Sequence, residues 1–125
     1  MIFYDFEVVE KDWLAVFIDM MKKKEYVIIN SHDKLKALYE ANRKNIWVGF
    51  NNRHYDQYIM KGILLGMNPK KINDWIIVDN KEGWQYSRAF NKLPMINCVT
   101  YHCHCPYGIC GLVAEKSKER QGCKQ

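Results

Sequence analysis

The chain lacks any apolar run long enough to span a bilayer, and Asp5, Glu7 and Glu10 break up any apolar segment that would serve as an N-terminal secretory signal. Neither a membrane partner nor an export route is therefore expected. It also lacks a strong charge of either sign. A net charge of +5 is compatible with a polyanionic partner and too small to require one. No internal repeat is present, which excludes a solenoid, and no aspartate follows Asp79. The five cysteines are an odd number, and four of them crowd between Cys98 and Cys110. Without a secretory signal they are expected as reduced thiols, not as a disulfide framework. What the chain does have is core-forming material: 125 residues, 48% hydrophobic, with four Trp, eight Tyr and five Phe. That suits one compact domain or part of a larger one.

Hydrophobic periodicity divides the chain into alternating elements. Ile2 to Val9 alternates as a strand, with Ile2, Tyr4, Phe6 and Val8 on one face and Asp5 and Glu7 on the other. Trp13 to Met20 is almost continuously apolar, as a central strand covered on both faces would be. Lys22-Lys23-Lys24 makes a charged turn into a third strand, Glu25 to Asn30, giving an antiparallel meander. Asn30 or Ser31 then caps a helix whose stripe is Leu35, Leu38, Tyr39 and Asn42, ending near Arg43. Ile46 to Phe50 is a short buried strand; the helix before it is a crossover, so it pairs in parallel with an earlier strand, the first. A second helix starts near Tyr55, with Asp56, Ile59, Met60, Ile63 and Leu64 on one face, and stops at Gly66. Asn68-Pro69 opens a third helix with Ile72, Trp75, Ile76 and Asp79 inward. Residues 80–94 read as loop, and Met95 to Val99 as a further strand. This order predicts an α/β fold, a ribonuclease-H-like mixed sheet with flanking helices.

Three carboxylates carry chemistry in this scheme. Asp5 and Glu7 share a strand face with Cα atoms roughly 7 Å apart, within reach of one cation or a pair. Acid-x-acid is common, and alone it describes a half-buried strand with its charges in water. Asp56 is more telling, because it sits on the apolar face of its helix, directly after a buried strand. A carboxylate there is costly unless a cation or hydrogen bonds compensate it. If the fourth strand lies beside the first, the start of that helix faces Asp5 and Glu7. Three carboxylates then converge, an arrangement suited to divalent ions and phosphoryl transfer.

Tyr4-Asp5-Phe6-Glu7 resembles the first motif, Asp-x-Glu, of the DEDD 3′→5′ exonucleases, and Asn52-Arg53-His54-Tyr55-Asp56 resembles the second, Asn-x-x-(Phe/Tyr)-Asp. The flanks Ile2-Phe3, Trp47 to Asn51, Gln57-Tyr58 and Asn73 to Ile77 are similar to the proofreading region at the N-terminus of bacteriophage and prophage DNA polymerases. The resemblance runs from Met1 to about Asn97. It implies that Asp5, Glu7 and Asp56 are the catalytic, metal-ligating residues, holding two Mg²⁺ or Mn²⁺ ions. It implies that Asn52 and Tyr55 shape the site or touch the DNA, and that the partners are a single-stranded DNA 3′ end and the remainder of a polymerase. The implied location is the cytoplasm of a bacterial host. In this family the neighbourhood of Phe6 packs against the terminal nucleotide, although strand alternation turns Phe6 itself toward the core.

The sequence departs from the family in its last part. The third motif, Tyr-x-x-x-Asp or His-x-x-x-x-Asp, is not found after Asp56. Composition changes at Cys98 into the Cys/His-rich stretch Cys98 to Cys110. The expected division is an exonuclease-like domain over 1–97, incomplete relative to the family, and a divergent, poorly ordered tail over 98–125 from a truncated or frame-shifted polymerase gene. His102, Cys103, His104, Cys105, Cys110 and Cys123 are zinc-type ligands, but their spacing does not match a zinc knuckle, and zinc is not expected. The expected function is 3′-end hydrolysis impaired by the absent third motif. The alternative is a non-catalytic nucleic-acid-binding or interaction protein on the same scaffold, using the basic residues at 22–24, 70–71 and 116–120.

Overall fold

The computed structural model describes residues 1–99. They form a mixed α/β fold around a five-stranded mixed sheet of order β3-β2-β1-β4-β5. The strands are β1 (Ile2–Val8), β2 (Trp13–Asp19), β3 (Lys24–Ile29), β4 (Ile46–Gly49) and β5 (Ile96–Val99). β1, β2 and β3 pair antiparallel, and β4 runs parallel to both β1 and β5. The meander and the parallel crossover follow the sequence pattern. The β2–β3 turn is tied by Asp19, whose carboxylate accepts the backbone N–H groups of Met21 and Lys22.

Alternation on β1 sorts its side chains as expected. Ile2, Tyr4 and Phe6 join a core completed by Phe17 and Trp47 from the sheet. From the helices come Leu35 and Tyr39 of α1 (His32–Ala41), Ile59, Met60 and Ile63 of α2 (Gln57–Leu64), and Ile72 of α3 (Pro69–Asn73). Phe6 is a core residue, its ring edge-on to Tyr4 and Phe17. On the opposite face a smaller cluster of Phe3 and Val48 packs with Ile18, Met20 and Cys98. The three helices therefore cover one face, and Asp5 and Glu7 lie on the other.

Ser31 caps α1 by accepting the Lys34 amide, and Asn68 caps α3 by accepting that of Lys70, with Pro69 opening the helix. Gly66 ends α2 at φ +80, a conformation that favours glycine.

Several expectations are corrected. The second helix does not begin as a regular α-helix, because residues Asn52–Asp56 wind as a wider π turn before α2. α3 likewise continues as a π turn over Asp74–Val78, which leaves Asp79 exposed instead of inward. The stretch 80–94 contains two short 3₁₀ turns, Gly83–Gln85 and Arg88–Lys92, with Phe90 buried between Tyr58 and Tyr86. The further strand expected over Met95 to Val99 is present as β5, while Cys98 within it is disulfide-bonded instead of the expected reduced thiol. The remainder of the expected tail, with His102, His104 and the other four cysteines, lies outside the described residues. No helix among the described residues is long and apolar enough to cross a membrane.

Candidate functional site

The site is built where β4 parts from β1. The two strands are in register only at Ile2–Trp47 and Phe3–Val48, while β1 runs on to Val8. At Gly49 the chain hugs its neighbour so closely that a Cβ would lie 3.0 Å from the Tyr4 carbonyl oxygen and 3.2 Å from Asn52 Cβ. The chain then leaves the sheet, and the β1 edge beyond Phe3 loses its strand partner. The π turn fills that place. Asp56 Oδ1 accepts the backbone N–H of Phe6 at 3.0 Å. A side chain from one element thus continues the edge of another, at the residue lying between Asp5 and Glu7.

This placement is electrostatically costly. Asp56 is 3% exposed. Burial and then the negative charge of Asp5 push its carboxyl up to about 8, against a smaller opposing effect of the Phe6 amide. Tyr55, half-buried beside it, donates its hydroxyl to Asn73 Oδ1 at 2.6 Å. Its pKa is raised by burial and then by Asp56, Asp5, Glu7 and Asp74 in turn. One phenol therefore feels all three expected carboxylates and a fourth, Asp74, which sequence reasoning did not single out.

Asn52 is fully buried, at 0% exposure. Its amide nitrogen donates to Trp47 O, Asn97 Oδ1 and Cys98 O, lacing β4 to β5. Asn97 is the second residue that the sequence pattern concealed. It accepts the Tyr4 hydroxyl at 2.7 Å and also touches Gln57 Oε1. The available signal was a lone amide within the apolar strand Ile96–Val99. Lys70, one of the basic residues named for the alternative reading, pairs with Asp74 Oδ1 at 2.7 Å.

The residues match divalent metal in kind. All three are hard oxygen donors, and a cation would offset both the burial and the Asp5 charge that together raise the Asp56 carboxyl. They do not form a ready cage. Among the described residues, no group of three or more His, Cys, Asp and Glu is arranged to hold a metal ion. No protein-family model, curated protein or solved structure matches this chain.

Proposed function

We propose that this chain carries the N-terminal portion of a 3′→5′ exonuclease domain of the kind found in phage-type DNA polymerases, with Asp5, Glu7 and Asp56 as its metal-ligating and catalytic residues. The observation that carries the reading is the bond from the Phe6 amide to the Asp56 carboxylate, which brings the second acidic motif to the centre of the first. The sheet order, with β2 antiparallel to its neighbours and β4 parallel to β1, is compatible with a ribonuclease-H-like scaffold. The motifs at Asp5-Phe6-Glu7 and Asn52 to Asp56 supply the rest.

On this reading Asp5, Glu7 and Asp56 hold Mg²⁺ or Mn²⁺ when it binds. The ions supply an activated water and charge stabilisation for phosphodiester hydrolysis. The chain's own residues prepare the place. The Phe6 amide fixes the Asp56 carboxylate, Asn52 and Asn97 lock the strands beneath it, and Tyr55, held by Asn73, walls one side.

Binding of such an ion to the folded chain would raise its stability. Thermal melting with and without Mn²⁺ at pH 8 tests this. At about ten times the dissociation constant, binding adds about 1.4 kcal/mol, a shift of a few degrees in melting temperature. That shift is expected in the native chain and absent in Asp5→Ala and Glu7→Ala. An equal shift in all three proteins would show that the metal sits elsewhere.

A further inference from the structure

Trp84 is a large aromatic left 61% exposed, on a loop that is otherwise tightly held. Gly83 beside it is buried so closely under Tyr58 that an added Cβ would lie 2.2 Å from a ring carbon. The Trp75 indole donates to the Glu82 carbonyl at 2.8 Å. Tyr86 meets Trp75 edge-on and stacks on Phe90. The inward residues of the two 3₁₀ turns thus anchor the loop, while Trp84, Gln85, Arg88 and Asn91 project outward and line a cleft of about 430 Å³. Among the described residues Arg88 takes part in no ion pair.

We propose that this cleft is a stacking pocket for one nucleobase of a single-stranded DNA, upstream of its 3′ end. The inference rests on the reading of the neighbouring carboxylates as a DNA-end site. The indole offers a flat face to any base, Arg88 a cation for the adjoining phosphate or the base plane, and the Gln85 and Asn91 amides donors and acceptors for a base edge. The exposed indole on an anchored loop is suited to this, because the backbone that carries it is already held and an aromatic side chain has few rotatable bonds to order. The loop also abuts the candidate site. His54 Nδ1, on the turn that carries Tyr55 and Asp56, lies 3.9 Å from Glu82 Oε2, and Gly83 packs on Tyr58 of α2.

The test is fluorescence anisotropy of a 5′-labelled oligothymidine with the full chain, in EDTA so that nothing is hydrolysed. Trp84→Ala is expected to raise the dissociation constant about ten-fold or more, while Trp84→Phe stays within about three-fold of the native chain. Arg88→Ala should weaken binding as well. Unchanged affinity in Trp84→Ala, or no binding by the native chain, overturns the pocket. The metal-induced melting shift, lost in Asp5→Ala, is read without DNA. It therefore reports on the carboxylate site independently, and either idea can fail alone.

Discussion

Asp56→Asn is expected to be more stable than the native chain at pH 8 and to flatten its dependence of stability on pH. The folded-state carboxyl lies near 8, raised from an ordinary value of 3.8 by burial and by Asp5. A group with a raised folded-state pKa keeps a proton that the unfolded chain has already released. Its contribution to stability is therefore complete below about pH 4 and is lost as pH rises toward and through 8. The slope from one such group approaches about 1.4 kcal/mol per pH unit inside that window. Asparagine keeps the shape and the oxygen that accepts the Phe6 amide, but never takes on the charge. Urea denaturation at intervals from pH 5 to 9 measures the effect, with Mn²⁺ partly restoring the native chain at the alkaline end. Parallel pH profiles for the two proteins would mean that Asp56 is not held protonated by its surroundings.

Removal of nucleotides from a single-stranded 3′ end is expected to run near background with Mg²⁺ and to reach at most a trace with Mn²⁺. Two-metal hydrolysis needs the ions at fixed separation and a water in line with the scissile phosphate. On the proposed reading Asp5, Glu7 and Asp56 would ligate the ions, but the third motif, which in the family it resembles supplies the residue that orients the water, is not found after Asp56. Losing such a group commonly costs 10²-fold or more, roughly 3 kcal/mol in barrier. A labelled oligonucleotide resolved on a gel, with Asp5→Ala as control, measures this. Robust metal-dependent trimming abolished by Asp5→Ala would contradict the expected weakness. It would direct the search for the water-orienting residue to the segment beyond Val99, where His102 and His104 lie.

Much of this arrangement is legible in the sequence because it rests on local periodicity. The period of two on Ile2–Val8 separates Tyr4 and Phe6 from Asp5 and Glu7, and the helix between β3 and β4 requires a crossover that makes β4 parallel. Asp56 stands out as a charge on an apolar face. The π turn is not legible, since Asn52 to Asp56 carry no pattern that separates a wide turn from an α-helical start. That turn nevertheless decides which atom Asp56 meets. The roles of Asn97 and Asn73 are invisible for a different reason. Their partners, Tyr4, Asn52 and Tyr55, are distant in sequence, and a hydrogen bond of that span leaves no periodic trace. Asp79 lies exposed because the chain changes its winding after Asn73, where an unbroken helical period would turn it inward.

A divalent ion held, as proposed, where the Asp56 side chain meets β1 is located directly by paramagnetic broadening with Mn²⁺. In a two-dimensional amide spectrum at pH 8, the resonances of Asp5, Phe6, Glu7 and Asp56 should vanish first at sub-stoichiometric Mn²⁺ and return with excess Mg²⁺. Persistence of those four resonances, while amides near exposed carboxylates such as Asp33 or Asp79 disappear, would contradict the account.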